Sequence, residues 1–389
     1  MVRANQLTVH ALGVVMIFTW GSTYYLMGVL AGPIVADTGW PLEWVVGSLS
    51  VGLLVAGVAS PSVGDAISRR GGRAVLAFGC VVSAIALSMI AIASNIVLFV
   101  AGWAILGIGM AASLYDAAFS TLGGLFGEKA RPSITTLTLW GGFASTVCWP
   151  ISAALVDAIG WRGTCLAYAA VLVSICLLLI LFTVPEIAHP RPDAASGRHR
   201  HFVLSDQEEA TFWLFAAMQV LAGLFVTIVS VHLISLLQAR GVTLAEAVTL
   251  GALIGPAQVS ARVLEMIGRG RHHPLWTLTA AVVLGAAGLL ILAIGWPAIG
   301  IGLILYGAGN GIFSIARGAL PLALFGPDRY ASVMGKLARP GLVAQAVAPL
   351  LGATVIANLG YEALLYTLAA FSVINIVIVG VLWKLVRRD

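Results

Sequence analysis

Three ionisable side chains stand inside stretches that are otherwise almost wholly apolar. They are Asp116 in Leu114-Tyr115-Asp116-Ala117-Ala118, Arg262 in Gln258-Val259-Ser260-Ala261-Arg262, and Arg317 in Ser314-Ile315-Ala316-Arg317-Gly318. A charge in the middle of a membrane helix costs at least ~2.5–3.5 kcal/mol, so such residues pair, line water or bind something. A guanidinium is planar, forked and always charged, which suits a carboxylate or another oxyanion. Arg317 lies too deep for easy snorkelling and is the first candidate to anchor an anion; a salt bridge locking two helices is the other reading. Arg262 lies nearer a span end, where its stem can instead snorkel to the headgroups. Asp116 is either a protonatable switch that competes with a bound anion for Arg317, or its permanent ion-pair partner. Tyr24, Tyr25, Gln219 and His232 are uncharged polar candidates for the same cavity, with Trp20 and Trp140 as apolar walls. A buried Tyr also serves simply to bond a backbone carbonyl.

What must position these residues is a set of membrane helices. The chain is 60% hydrophobic and 10% charged over 389 residues, with a mean hydropathy of +1.01. A spanning helix needs roughly 20 mostly apolar residues, and lipid offers backbone groups no partner, so such runs are helical. The pattern predicts an all-α membrane protein of twelve spans: 10–36, 44–64, 74–94, 97–126, 133–157, 162–184, 210–239, 244–267, 274–294, 297–325, 331–357 and 361–384. With the N-terminus inside, seventeen Lys and Arg residues fall in cytoplasmic segments, and only Arg162 and Arg240 fall on the other side. That bias predicts both termini in the cytoplasm, and the net charge of +5 reflects it. Anionic lipid headgroups account for the positive charge better than nucleic acid does. Trp40, Trp44, Trp161 and Trp296 near span ends read as interfacial anchors.

Several chemistries are not expected. Cys80, Cys148, Cys165 and Cys176 all lie in predicted helices without ligand spacing and read as packing residues, with no metal or disulfide. His189, His199 and His201 lie in a polar stretch of irregular spacing and read as solvated. Gly102, Gly107 and Gly109, like Gly302, Gly307, Gly309 and Gly311, fall inside apolar spans, where they permit close helix contact. No GxxxxGK[ST] signature accompanies them. No ATP driving, no cofactor and no enzymatic reaction follow from this chain.

The polar stretch 185–209 divides the spans six and six, giving bundles at 1–184 and 210–389 joined by a cytoplasmic linker. The halves repeat. At an offset of 199, Phe126–Gly127 falls on Phe325–Gly326, Pro150 on Pro349 and Ala118 on Arg317; at 200, Asp65 falls on Glu265. Internal symmetry of this kind marks transporter folds, with a site near mid-membrane at the repeat interface.

The loop Gly64-Asp65-Ala66-Ile67-Ser68-Arg69-Arg70-Gly71-Gly72-Arg73 resembles the loop signature of the major facilitator superfamily, and the resemblance spans the whole chain. A narrower likeness is to monocarboxylate-transporter-like members. It is carried by Asp37-Thr38-Gly39-Trp40, by Gly160-Trp161-Arg162, and by the eighth span, where Arg262 matches a substrate-binding arginine. Gln258 replaces the acid four residues before it, and Tyr24-Tyr25-Leu26-Met27-Gly28-Val29 lacks the lysine of animal members. The proline-glycine antiporter signature of drug exporters is absent from the fifth span. The resemblance implies that spans 1, 4, 7 and 10 line the cavity. It also implies that Asp65, Arg69 and Arg73, with Glu265 and Arg269, act as gates, Asp65 approaching the Lys336–Arg339 end and Glu265 the Lys129–Arg131 end.

The function expected is secondary transport of a small organic anion, a monocarboxylate first, by alternating access, with proton symport open. The partners expected are that anion, protons and lipid, in a bacterial inner membrane. Efflux of a drug or inorganic oxyanion, and a non-transporting receptor of the same fold, are the alternatives.

Overall fold

The computed structural model describes residues 6–186, 204–268, 272–295 and 299–386, and every regular element among them is helical. Arg269, Trp296, the three linker histidines and most of the 185–209 stretch lie outside the described residues. Among the described residues, eight helical stretches are long and apolar enough to cross a membrane: Gln6–Thr38, Leu42–Arg70, Gly72–Ala91, Ile96–Thr183, Asp206–Gln238, Leu244–Ile267, Pro274–Ile294 and Ile299–Val386. Large apolar side chains stand on their surfaces, Phe182 at 82% exposure among them. In lipid, unlike in water, such a surface carries no penalty. The molecule is an integral, multi-pass membrane protein.

Two stretches run for 88 residues each. At 1.5 Å per residue a straight helix of that length would reach about 130 Å, several times the ~30 Å hydrocarbon core. The chain therefore turns back within them, at glycines in the left-handed region that other residues rarely adopt. These are Gly127 and Gly160 in the first, with φ of 57° and 71°, and Gly326 and Gly360 in the second, with φ of 72° and 86°. The spacings between Gly127 and Gly326 and between Gly160 and Gly360 are those of the sequence repeat.

The elements in order are α1 (Gln6–Gly21), α2 (Met27–Thr38), α3 (Leu42–Arg70), α4 (Gly72–Ala91), α5 (Ile96–Ser113) and α6 (Tyr115–Phe126). There follow α7 (Arg131–Gly142), α8 (Ala144–Val171), a π turn (Leu172–Cys176) and α9 (Leu177–Thr183). The remainder is α10 (Asp206–Gln238), α11 (Leu244–Gly251), α12 (Ile254–Ile267), α13 (Pro274–Ile294) and α14 (Ile299–Val386), the last interrupted as described. Helix α10 starts at Asp206 because Ser205 and Glu208 form a reciprocal capping box, which satisfies two orphan backbone donors.

Contacts divide the chain into two units: Met1–Val203 with Phe325–Arg339, and Leu204–Leu324 with Pro340–Asp389. In the first unit α5 lies against α3 and α4. A side chain at Gly107 would strike the Gly52 carbonyl, and one at Gly79 would come within 2.8 Å of the Ala112 backbone. In the second unit α14 packs closely on α12 and α13, through Gly307 against Ile254 and Gly309 against Gly285. Small residues let helices approach this closely in a membrane, where van der Waals packing drives association.

The two arginines that the basic-residue bias leaves out have structural roles. Arg162 donates to the Ala91 and Ala93 carbonyls at 3.2 and 3.1 Å, past the end of α4. It also pairs with Asp37 at 3.6 Å and covers the Trp161 ring. Arg240 donates to the Leu292 and Ala293 carbonyls at the end of α13. Each satisfies helix C-terminal carbonyls that have no intrahelical partner. Trp161 departs from the expectation of an interfacial anchor. It is 4% exposed and donates its indole N–H to Asp37 at 2.9 Å, because the turn at Gly160 folds it inward.

Candidate functional site

Four interruptions of otherwise continuous spans organise the candidate residues. The first separates α1 from α2 at residues 22–26. Thr23 Oγ1 donates to the Thr19 carbonyl at 2.6 Å and Thr19 Oγ1 to the Val15 carbonyl at 2.8 Å. Hydroxyls bonded back to preceding carbonyls bend helices. The Tyr25 N–H then reaches Trp20 O, one residue beyond the normal partner, and Tyr24 and Tyr25 project from the widened turn. The second is Leu114, extended between α5 and α6 at φ −85° and ψ −169°. The third is Phe143, between α7 and α8. The fourth is at Ala252–Leu253, between α11 and α12. There Pro256 supplies no N–H for the Ala252 carbonyl.

In the first unit three of these breaks converge on an aromatic group. Trp20 lies 5.5, 5.9 and 5.1 Å, centroid to centroid, from Tyr24, Tyr25 and Tyr115. Tyr115 stacks on Phe119 at 5.1 Å and donates its hydroxyl to the Thr138 carbonyl at 3.2 Å. Trp149 donates to the Tyr25 carbonyl at 3.3 Å. The Trp20 indole N–H is buried without a hydrogen-bond partner, an uncommon state for a strong donor. The sequence reading singled out Tyr24, Tyr25 and Trp20 but not Tyr115 or Trp149. The available signal was the helix-breaking pattern Gly21-Ser22-Thr23 and the pair Gly141-Gly142. Asp116 is half-buried in the first turn of α6. A carboxylate there complements the positive end of the helix dipole.

In the second unit Arg262 is 6% exposed. Its Nε donates to the Gly311 carbonyl on α14 at 3.2 Å. Snorkelling is thereby overturned: the side chain runs along α14 instead of out to the headgroups. Gly311 makes this possible, since a Cβ there would lie 2.5 Å from the Gln258 carbonyl. The missing side chain lets α12 touch α14 one turn before Arg262. Arg317 stands half-buried farther along α14. Gln219 is buried at 6% exposure and packs against Gly341. His232 Nε2 lies 3.2 Å from the Pro349 carbonyl. As a carbonyl only accepts, that nitrogen carries the proton.

At the loop signature, Asp65 Oδ1 accepts from Ser332 Oγ at 2.7 Å, and Ser68 Oγ lies 3.4 Å from the same hydroxyl. The Asp65 carboxylate also acts electrostatically on Lys336. Asp65 thus meets the segment 325–339 of its own unit. Below it, a Cβ on Gly335 would lie 2.5 Å from the Ser60 carbonyl, and the Cα of Gly64 is 3.0 Å from that position. Gly71, at φ 79°, ends α3 in a conformation suited to glycine. Arg69 is exposed in the last turn of α3, and Arg73 pairs with Glu186 at 3.8 Å. In the second unit Glu265 accepts from Thr277 Oγ1 at 2.8 Å and lies 3.3 Å from His272 Nε2.

Membrane helices broken within a span, with aromatic side chains gathered at the breaks of the first unit and buried polar and guanidinium groups on the helices of the second, are features of membrane transporters. The sequence comparison carries this to a family: the Major Facilitator Superfamily model matches residues 12–337, and the chain belongs to that family of transporters. It is 26% identical over 331 residues to monocarboxylate transporter 3 of Rattus norvegicus, a match that covers 82% of this chain and 65% of that protein. Among solved structures it resembles the human organic anion transporter MFSD10 (TETRAN), with a TM-score of 0.77, 16% identity and coverage of 96% and 99% of the two chains. It equally resembles the transporter FucP in its outward conformation, with a TM-score of 0.77, 15% identity and coverage of 98% and 99%.

Proposed function

We propose that this transporter moves a small organic anion, a monocarboxylate first, across the membrane by alternating access as a secondary carrier. The observation that carries the proposal is the placement of Arg262, a guanidinium buried within a membrane span and laid along the helix that bears Arg317. Two fixed positive charges in one helical unit favour an anionic cargo. The printed names of two similar proteins, a monocarboxylate transporter and an organic anion transporter, agree with that chemistry.

In this reading the eight apolar stretches form twelve spans, the longest divided at their turn glycines, in two six-helix bundles of residues 1–184 and 210–389 joined by the linker 185–209. Both termini face the cytoplasm of a bacterial cell. Arg317 and Arg262 hold the carboxylate, and Tyr24, Tyr25, Gln219 and His232 contribute to its pocket. Asp116 couples transport to protons. Asp65, Arg69 and Arg73 form one cytoplasmic gate and Glu265 and Arg269 the other.

The test is purified protein in liposomes, screened with labelled monocarboxylates and inorganic oxyanions, with and without an imposed pH gradient. Saturable carboxylate uptake lost in both Arg262→Gln and Arg317→Lys supports the reading. Uptake confined to an inorganic oxyanion, or no dependence on either arginine, overturns it.

A further inference from the structure

Trp140, on α7, lies against α1. Its ring covers Gly13, where any Cβ would collide with the indole. Its Nε1 lies 3.1 Å from His10 Nδ1, and the two rings meet edge to face at 5.9 Å. An indole nitrogen is a donor and never an acceptor. His10 Nδ1 must therefore be the acceptor, which makes the ring neutral with its proton on Nε2. A protonated imidazole carries hydrogen on both nitrogens and has no lone pair to offer. This contact consequently exists in only one charge state of His10. His10 is exposed in the second turn of α1, close to the start of that span.

We propose that His10 is a proton-binding site of the first unit, with Trp140 reading its charge state. Protonation sets two N–H groups against each other. The indole cannot retreat toward α1, because it already rests on Gly13. It must move along or away from α1 and carry α7 with it. The next residue, Gly141, lies directly under the Tyr115 ring, and α7 ends one residue later, at Gly142. Displacement at Trp140 therefore reaches the aromatic group at the helix breaks without passing through any other side chain.

His10 is the only titratable residue on α1. Helix α1 packs against α5, α6, α7, α8, α9 and the π turn. The titratable groups on those elements are Arg131 on α7; Tyr115 and Asp116 on α6; Cys148, Asp157, Arg162, Cys165 and Tyr168 on α8; and Cys176 in the π turn. Helices α5 and α9 carry none. Tyr115 bonds Thr138, Tyr168 bonds Ser152, and Arg162 bonds Ala91, Ala93 and Asp37.

Proton binding at His10 is independent of the cargo; only the transport arm of the test rests on the anion reading. The first measurement is the Trp140 indole N–H resonance in the full chain, assigned through Trp140→Phe and followed across roughly pH 5 to 8, where imidazoles titrate. The expected result is a one-proton transition in the wild type that vanishes in His10→Asn, whose Oδ1 can accept in place of Nδ1 but does not titrate. His10→Gln is the second non-titrating variant should the first fail to fold. A resonance that does not move with pH, or that moves identically in the folded variant, overturns the proposal. In liposomes, the ratio of carboxylate uptake at roughly pH 5.5 to that at roughly pH 7.5 should move toward 1 in His10→Asn, the pH dependence that remains belonging to Asp116. An unchanged ratio in a transporting variant also overturns it. If the wild type moves no carboxylate, the anion reading fails and the resonance decides the proton site alone.

Discussion

Gly335→Ala tests the contact between α3 and the segment 325–339 with the smallest possible perturbation. In an exposed helix this change should help, since Ala exceeds Gly by roughly 0.5–1 kcal/mol. Here the new Cβ would lie 2.5 Å from the Ser60 carbonyl and 3.0 Å from the Gly64 Cα. Both are backbone atoms that no rotamer change can move. Overpacking of this kind costs roughly 1–3 kcal/mol. The contact should be weakened by about 0.5–2 kcal/mol net, or about 2- to 30-fold in the equilibrium between joined and separated helices. Ser60 is 4% exposed, so a cysteine placed there labels with a maleimide only when the helices part. The labelling rate in a Ser60→Cys background should rise by that factor on adding Gly335→Ala. The control is Gly47→Ala on the same α3, where a Cβ meets nothing within 4 Å, and which should leave the rate unchanged. Equal rates in all three folded proteins would refute the argument that backbone contact at Gly64 and Gly335 closes this face.

Further outcomes follow from the charged residues. Arg262→Gln removes a buried, charge-assisted bond to Gly311 and should lower stability by about 1.5–3 kcal/mol in a thermal melt; an unchanged melt would mean that the bond contributes nothing. Arg317→Lys keeps the charge but not the planar fork, so uptake should drop at least about tenfold with little change in melting. If Asp116 and Arg317 are coupled, the double change Asp116→Asn with Arg317→Ala should be less destabilising than the sum of the single changes, by about 0.5–3 kcal/mol; additive melts together with normal uptake in Arg317→Ala would remove both the coupling and the anchor role. Asp65→Asn and Glu265→Gln should slow turnover several-fold while changing equilibrium substrate binding by less than about twofold, as expected of partly exposed contacts worth roughly 0–1 kcal/mol; loss of binding in either would move that residue into the pocket. Arg162→Ala should lower the melting temperature by uncapping α4 and leave substrate affinity unaltered, which a binding isotherm checks.

Much of the class was legible in the residues. Transfer into lipid is a property of each side chain, so a run of apolar residues announces its medium wherever it lies in the fold. The loop around Asp65 and Gly71 carried the family, because a left-handed turn that ends one span and opens the next demands glycine at a fixed place. The repeat was legible for the same reason: Gly127 and Gly326, with Gly160 and Gly360, hold the same turns in the two halves.

Partnership was not legible. The sequence left Arg262 with two fates, and the structure chose the buried one because Gly311, far away in the chain, has no side chain to keep α12 off α14. Trp161 had the composition and position of an interfacial anchor, yet the turn at Gly160 folded it onto Asp37. Trp140 looked like an apolar wall and the sequence reading passed over His10, yet the absence of a side chain at Gly13 lets the two come within hydrogen-bond distance. Composition and hydropathy determined by themselves that this chain is a helical membrane protein, and the loop motif carried the resemblance to the Major Facilitator Superfamily, since those signals are local and add along the chain. Which charge is buried, where each span breaks and which polar group meets which are set by helix crossings between residues distant in sequence, and those only the tertiary structure decided.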